Sequence, residues 1–348
     1  MFLRVHYPIE LVESVSTACP THKQINSKTN KLNNSSYIYL QKYESFGDNQ
    51  KKISIFALFK PKRKVNEANN HSETVFNTGE TAESLRREYN PDGSLLREAQ
   101  LRLLDMLDYI DKVCREQGIS YRLDSGNVIG ALRHGGFIPW DDDVDVALSW
   151  SDYKRLCQYL SSHPHPRYKL QSPETDKDYL YTWNKLRDVK SQYVMNYPEG
   201  SKDMKVFERQ KYKGLQIDLF PFEDHMLPQL QRLAGKLACV AAFDIGQDYP
   251  RLGRFLFNLN RRVFFPLFRL AGKFIGKADV VQHSYGTWFY KRYRKQDIVP
   301  YTKAYFEGHS YPVPADADAF CRTIYGDYWQ LPPKEKREWH AVDIIYFD

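Results

Sequence analysis

The sequence has few cysteines, and none of them are grouped. The five cysteines in 348 residues form no Cys-x-x-Cys pair and no Cys/His cluster. Scattered thiols are typical of a protein from a reducing compartment, whereas a structural zinc site or a disulfide framework needs closely spaced ligands. We therefore expect a cytoplasmic protein without structural zinc.

Long hydrophobic runs are also absent. No stretch of about eighteen uninterrupted apolar residues occurs, which is what a membrane-spanning helix would need. Glu10 and Glu13 interrupt the first apolar run, so the N-terminus does not have the pattern of a signal peptide. We expect neither a transmembrane helix nor a secretory leader.

Acidic residues are missing from residues 249–278, where arginine and lysine alternate with phenylalanine, leucine and isoleucine. This mixture fits an amphipathic segment that lies on an anionic membrane, at the inner face of the cell membrane. A buried helix pair with a solvated basic face is the alternative. The net charge of +7 alone would suggest nucleic acid as a partner. The basic residues follow no nucleic-acid-binding motif, so none is expected.

The chain divides by composition. Residues 1–90 are polar and rich in Asn, Ser and Thr, which predicts a poorly ordered or loosely attached extension. Helical and strand patterns alternate from residue 91 to 340, which indicates an α/β or α+β domain. Residues 226–295 are predicted to form a helical basic insertion within that domain.

Four aspartates stand in five positions, at 141, 142, 143 and 145. The segment "DVDVAL" alternates polar and apolar residues as a strand does, so Asp143 and Asp145 share one face. Such a pair can chelate a hard divalent cation, Mg²⁺ or Mn²⁺. A solvated acidic loop is the alternative, and Asp141 and Asp142 are expected to hold the loop or to tune the local field.

Two further features support a site. Asp218 is a lone carboxylate in the apolar strand "LQIDLF", where an unpaired charge would be costly. The turn "SGNVIGAL" leads into a helix, and such turns present backbone N–H groups to phosphate. Together they predict a phosphate ligand, divalent cations and an attacking hydroxyl group.

The motifs resemble those of the LicD family, which includes the fukutin-related proteins. "GNVIGALRHGGFIPWDDDVDVAL" is similar to the family signature G-T-L-L-G-A-x-R-H-x-G-F-I-P-W-D-D-D-[ILV]-D. "WNKLRDVKS", "GLQIDLFPFED" and "YGDYWQLPPKEKR" resemble later family segments and occur in the same order, within residues 90 to 340. One departure is Asn127, where the family usually has threonine.

The resemblance implies an α+β fold of the nucleotidyltransferase type, similar to polymerase β. It has a mixed sheet flanked by helices and a helical C-terminal half. It also implies metal-dependent transfer of a phospho-substituent from a CDP-linked donor to a hydroxyl of a cell-surface glycan or glycolipid. The glycan would be lipopolysaccharide or teichoic acid. The substituent would be phosphocholine from CDP-choline or a polyol phosphate from a CDP-polyol.

The resemblance also suggests roles for individual residues. Asp143, Asp145 and Asp218 are predicted to be catalytic and to bind Mg²⁺ or Mn²⁺. The predicted substrate-binding residues are Gly126, Asn127, Arg133, His134, Trp140, Lys185 and Arg187. Core packing is the alternative for Trp140, and pairing with the helix dipole is the alternative for Arg133 and His134.

Two other functions fit part of the pattern. A GT-A-like glycosyltransferase also uses an Asp-x-Asp pair, but it does not explain the preceding turn or Asp218. An inactive glycan-binding module would tolerate the loss of the carboxylates, all of which are present here.

Overall fold

The structure is a computed structural model, and it describes residues 75–195 and 197–347. The prediction of an extension over residues 1–90 therefore falls, up to residue 74, outside the described residues. Residues 75–90 are described, and they pack on the body. Leu85, in the helix α1 (Ala82–Tyr89), is fully buried in a small core with Phe76, Trp140 and Leu331. The packed body thus begins before the predicted boundary.

Ten α-helices are present in the described residues. After α1 they are α2 (Leu95–Gln117), α3 (Ser125–Ile129), α4 (Trp150–Ser162), α5 (Lys202–Glu208), α6 (Pro228–Cys239), α7 (Pro250–Leu259), α8 (Phe265–Ile275), α9 (Lys295–Ile298) and α10 (Ala317–Tyr325). Helix α2 is the long helix that the apolar spacing predicts. It begins after the cap Ser94 and ends at Gly118, whose φ of 57° is left-handed. None of the described helices is long and apolar enough to cross a bilayer.

Eleven strands occur in the same part of the chain. They are β1 (Tyr121–Leu123), β2 (Val144–Ser149), β3 (Tyr168–Gln171), β4 (Asn184–Asp188), β5 (Ser191–Met195), β6 (Gln216–Asp224), β7 (Val280–His283), β8 (Arg292–Arg294), β9 (Thr302–Phe306), β10 (His309–Val313) and β11 (Ala341–Tyr346). Helices and a mixed sheet confirm the α+β class. The C-terminal half is only partly helical, because β7 to β11 all lie in it.

The main sheet has seven strands, with β1, β2, β6, β4 and β3 side by side and β7 joining β6 to β8. Only β2 and β6 run parallel, and every other neighbouring pair is antiparallel. β7 and β8 fall within the predicted insertion at 226–295, so that segment is helical as far as residue 275 and then returns to the sheet. The parallel pair matters most for function, because it carries the aspartates.

The loop between α3 and β2 is fixed by a distant glutamate. Glu307 accepts a hydrogen bond from the backbone N–H of Phe137 (3.1 Å) and pairs with Arg97 (2.7 Å). A side chain at Gly136 would collide with the Glu307 carboxylate, since a Cβ there would lie 2.2 Å from Oε1. Close packing against Glu307 therefore explains Gly136 of "RHGGF", and Gly135 before it has a left-handed φ of 69°.

Candidate active site

Asp145, Asp218 and Lys185 form a row across three neighbouring strands. Asp145 of β2 is the direct partner of Asp218 in β6, and Asp218 is the direct partner of Lys185 in β4. Side chains of directly paired residues lie on the same face of a sheet. All three are buried, and the Lys185 ammonium forms an ion pair with Asp218.

Asp143 and Asp141 extend this row along the loop before β2. Asp143 is two residues before Asp145, and its carboxyl group lies within hydrogen-bonding reach of that of Asp141. Burial, with the neighbouring carboxylate of Asp143 as the next cause, raises the pKa of Asp141 and of Asp145 well above the usual value. Burial also raises the pKa of Asp143, although His340 opposes it. The charged forms of these carboxyl groups are therefore disfavoured in the folded protein.

A divalent cation would suit this cluster. Crowded carboxylates with raised pKa values are stabilised by a proton or by a positive ion. Their oxygen atoms are the ligands that Mg²⁺ and Mn²⁺ prefer. Asp143, Asp145 and Asp218 thus have the chemistry that their predicted role requires, and the role itself stays a prediction.

A second group with metal-ligand chemistry borders the first. Asp141, Asp142 and His340 present ligand atoms that all lie within 4.8 Å of one another, an arrangement consistent with a divalent metal. His340 was not predicted. It stands 198 residues after Asp142 and is brought to the loop at the start of β11, so no local sequence pattern could reveal it.

Asp142 is occupied by protein donors. Its fully buried carboxylate accepts hydrogen bonds from the backbone N–H groups of His340 and Ala341 at 3.0 Å, and from Nδ1 of His340 at 2.6 Å. Burial alone would lower the pKa of His340, but the bond to Asp142 raises it overall. Asp142 therefore ties the aspartate loop to β11, which is the loop-holding role considered for it above.

Asn127 forms hydrogen bonds with the backbone of Asp143 and Asp145. Its amide oxygen accepts the backbone N–H of Asp145 at 2.6 Å, and its amide nitrogen donates to the carbonyl of Asp143 at 3.3 Å. The side chain is buried. Both ends of its amide thus contact the backbone of the aspartate segment, and the predicted contact of Asn127 with phosphate stays a prediction. The structure gives it a positioning contact.

Gly126 lies against the aspartate loop. A Cβ at this position would stand 3.0 Å from Oδ2 of Asp141. The residue before it, Ser125, has a φ of 46° and so occupies the left-handed region that few side chains adopt. This strained turn brings the start of α3 close to the carboxylates, and the predicted contact between Gly126 and phosphate stays a prediction.

A buried cluster behind this turn was also missed. Asp124, fully buried, accepts from Arg122 at 2.7 Å and contacts Nε2 of His283 at 2.9 Å. Burial would raise the pKa of Asp124, but Arg122 and His283 together lower it to about 2. The three residues come from β1, the turn and β7, and they anchor the turn to the sheet.

Arg133, His134 and Trp140 make protein contacts outside the aspartate segment. Arg133 is buried and donates hydrogen bonds to the carbonyl of Tyr328 and to Nε2 of His134. Burial lowers the pKa of Arg133 to about 10. The ring of Trp140 is buried, with its centroid 5.2 Å from that of Tyr89. Their predicted contacts with substrate stay predictions, and packing accounts for their positions.

Lys185 and Arg187 lie two residues apart in β4, both buried. Arg187 donates to Oε1 of Gln171 at 2.7 Å and to the carbonyl of Gly214 at 2.8 Å. Burial lowers the pKa of both side chains. Lys185 is therefore the cation directly beside the carboxylates, while Arg187 braces the next position of the sheet.

Comparison with known proteins supports the resemblance. Residues 118–233 match the family model described as "LicD/FKTN/FKRP, nucleotidyltransferase domain". This range includes every predicted site residue, which confirms the resemblance to the LicD family.

Individual relatives agree. The chain is 28% identical over 265 residues to the lipopolysaccharide cholinephosphotransferase LicD of Haemophilus influenzae. This alignment covers 72% of this chain and 97% of the relative. It is 43% identical over 44 residues to the human ribitol 5-phosphate transferase FKRP, covering 13% of this chain and 9% of the relative. An uncharacterized protein of Rickettsia typhi is 24% identical to this chain over 178 residues, an alignment that covers 48% of this chain and 52% of the relative.

Proposed function

From the LicD-family domain that this chain carries, we propose that the protein transfers a phospho-substituent from a CDP-activated donor to a hydroxyl group of a cell-surface glycan. Lipopolysaccharide and teichoic acid are examples of such acceptors. The observation that supports this most is the carboxylate cluster. Asp145 and Asp218 are paired on adjacent strands, and Asp143 lies in the loop just before β2. Burial and neighbouring carboxylates raise the pKa values of Asp143 and Asp145.

Phosphocholine is the proposed substituent, with CDP-choline as the donor. The relative that is a cholinephosphotransferase aligns over 97% of its own length, whereas the ribitol 5-phosphate transferases align over 9% of theirs. A polyol phosphate from a CDP-polyol is the second choice. The glycosyltransferase alternative has no relative among those compared above.

The reaction follows from the proposed roles. Asp143, Asp145 and Asp218 would hold Mg²⁺ or Mn²⁺, which offsets the negative charge of the donor diphosphate when it is bound. An oxygen of the acceptor hydroxyl forms a bond to the β-phosphorus, the phosphoanhydride bond breaks, and CMP leaves. Asp218 would take the proton of the hydroxyl group. Lys185, beside Asp218, would stabilise negative charge on the transferred phosphate.

We also propose the polymerase-β-like nucleotidyltransferase fold for this domain. The mixed sheet supports it, since the parallel pair β2 and β6 places carboxylates from two strands on one face. The proposed organisation remains an extension ahead of the LicD-type domain, with the basic helical segment after β6 as an insertion. The proposed location is the cytoplasm, at the inner face of the membrane.

A donor screen tests the proposal. The protein is incubated with Mg²⁺ or Mn²⁺, a panel of glycans and one of CDP-choline, CDP-ribitol or CDP-glycerol, and CMP release is measured. A parallel thermal-shift series with the same donors identifies the one that binds, because a ligand of the native state raises the unfolding temperature. We expect CDP-choline to give the fastest release. Turnover of a nucleotide sugar, with none of a CDP-linked donor, would contradict the proposal.

A further inference from the structure

Residues 250–275 form one continuous helical stretch after the proposed catalytic strands. It consists of α7, a π-helical segment Asn260–Phe264 and α8. Three basic side chains attach it to the body. Arg254 pairs with Asp178 at 3.1 Å, Arg261 with Glu174 at 2.5 Å and Arg269 with Glu223 at 2.7 Å.

The side of this stretch that faces away from the body is apolar. We call it the apolar row, and it comprises the exposed Leu252, Phe255, Val263, Leu267, Leu270 and Phe274 together with the half-buried Leu259. Phe274 is 80% exposed, Phe255 63% and Leu267 54%. Contiguous exposed apolar surface of this kind marks an interaction site, because isolated exposed side chains are common but aligned ones are not.

The π-helical segment keeps this row in line. From Phe255 to Leu267 the row advances by three successive steps of four residues. In an α-helix of 3.6 residues per turn, such steps would drift around the axis. The wider turn at residues 260–264 takes up the extra residue and returns the later members to the same side. The row is therefore a property of the whole stretch rather than of α7 or α8 alone.

Basic side chains border the apolar row without acidic partners. Arg251, Arg262, Lys273 and Lys277 are exposed and make no ion pair with any described residue. No acidic residue occurs in residues 249–278. A second copy of this surface would meet like charge, whereas a surface of phosphate groups would meet opposite charge.

A recess beside α8 is lined by apolar, basic and acidic side chains. Its volume is about 870 Å³, and its lining includes Leu270 and Lys273 of α8 and Lys154 of α4. Arg269 lies over the ring of Trp150 in the same wall, 3.9 Å from its centroid. The two acidic residues of the lining, Glu223 and Asp224, pair with Arg269 and Lys295. Lys154 and Lys273 form no ion pair with the described residues, so the recess keeps positive charge for an anionic headgroup next to the apolar row.

We propose that residues 250–275 dock the protein on an anionic phospholipid bilayer. The apolar row enters the boundary between headgroups and acyl chains, and the four free basic side chains lie at the level of the lipid phosphates. The helix lies along the surface and does not cross it. This inference uses surface residues only and does not depend on the donor or the acceptor of the reaction.

Vesicle flotation with the full chain tests the inference. The vesicles contain phosphatidylglycerol and phosphatidylcholine in equal parts, or phosphatidylcholine alone, at low and at high salt. We expect binding to the anionic vesicles at low salt, and loss of that binding at high salt or without phosphatidylglycerol. Leu267→Ser and Phe274→Ser should each weaken partition by about tenfold. The double variant Arg262→Gln/Lys273→Gln should weaken it by roughly 30-fold.

Leu101→Ser is the matched control, since Leu101 is a 47% exposed leucine on α2, away from the row. It should bind vesicles like the unaltered chain, and all variants should keep the unfolding temperature within a few degrees. Equal binding of the Phe274→Ser variant and the unaltered chain would overturn the proposal. Failure of the unaltered chain to float with anionic vesicles at low salt would also overturn it, and a concentration-dependent doubling of the mass would then assign the row to self-association.

Discussion

Asp145 and Asp218 are direct partners across the parallel strands β2 and β6, with Lys185 on the far side of Asp218. Two carboxylates and one ammonium group thus share a buried row on one sheet face. Burial is the largest cause of the raised pKa values of Asp141, Asp143 and Asp145, and neighbouring carboxylates add to it. The site costs folding stability unless it binds a cation, and this makes several predictions testable.

The Asp145→Asn variant should be more stable without metal and inactive with it. The raised pKa of Asp145 means that its charged form is less favourable in the folded than in the unfolded state. Removing the charge should raise the free energy of unfolding at pH 7 in EDTA by about 1 kcal/mol. Activity should fall about a hundredfold or more, because a proposed metal ligand is lost. Thermal unfolding and CMP release provide the two measurements.

Asp279→Asn is the control for this variant, since Asp279 is an exposed aspartate at the edge of β7. It should change neither the free energy of unfolding in EDTA nor the rate of CMP release. A destabilised Asp145→Asn protein in EDTA would show that the carboxylate cluster is not under electrostatic strain.

Stabilisation by Mg²⁺ should depend on pH in a defined direction. The pKa values of Asp143 and Asp145 are higher in the folded than in the unfolded state. At a pH above the folded-state pKa both are ionised, and their charge lowers the free energy of unfolding by its full amount. This destabilisation disappears as the pH falls through the folded-state pKa towards about 4, the ordinary pKa of aspartate. Protons then compete with the metal. The rise in unfolding temperature caused by Mg²⁺ should therefore be largest at pH 7 to 8 and shrink on acidification.

The comparison with Asp145→Asn separates this effect from general acid unfolding. In that variant the increment due to Mg²⁺ should be small at every pH. An increment that grows on acidification in the unaltered chain would argue against metal binding by these carboxylates.

Asn127→Ala should loosen the metal site through the backbone. It removes the acceptor of the buried N–H of Asp145 and the donor to the carbonyl of Asp143. A buried N–H left without an acceptor costs about 1 to 3 kcal/mol of unfolding free energy. Calorimetric titration should also show weaker Mg²⁺ binding. Asn258→Ala, which removes a half-buried side-chain hydrogen bond within α7, should leave Mg²⁺ affinity unchanged.

Asp142→Ala should be far more damaging than His340→Ala. The first variant leaves two buried backbone N–H groups, those of His340 and Ala341, without their acceptor. We expect a loss of about 3 kcal/mol of unfolding free energy, measured by urea denaturation. His340→Ala keeps both backbone bonds and should cost about 1 kcal/mol. Equal losses would mean that the imidazole, and not the backbone, carries the connection.

Glu80→Gln should cost stability only above strongly acidic pH. Its hydrogen bonds to Arg337, the largest cause, lower the pKa of Glu80 from 4.5 to about 2. A depressed pKa stabilises the folded state above the unfolded value, and the benefit is lost as the pH falls through the folded one. The stability difference from the unaltered chain should thus be about 1 kcal/mol at pH 7 and should vanish between pH 4.5 and 2. Glu83→Gln, on the exposed side of α1, should show little effect.

The elements that could be predicted from the sequence are those with local signals. Periodic leucines between Ser94 and Gly118 indicated α2, and alternation around Asp145 indicated β2. The pairing of Asp218 with Asp145 depends on strand order, which local sequence patterns do not contain. Asp218 itself could still be identified, because an aspartate inside an apolar strand is unusual. His340 and His283 had no such signal, because each meets its aspartate only after distant strands pair.

Trp140 and Asn127 show a different limit. Both residue types suit a ligand contact as well as an internal one, and only the packed structure shows which neighbours they meet. Trp140 lies against Tyr89, in a region that the composition of the first ninety residues concealed. Asn127 replaces the usual threonine of the family motif, and its longer side chain reaches the backbone at both Asp143 and Asp145.

The tie between Asp142 and His340 also sets an order of events during synthesis. A ribosome that adds 5 to 20 residues per second needs roughly 10 to 40 s to make the 198 residues between them. Throughout that interval the aspartate loop lacks the backbone donors of β11. The nascent chain can complete its central sheet, but its metal-binding loop acquires its final shape only after residue 341 has emerged.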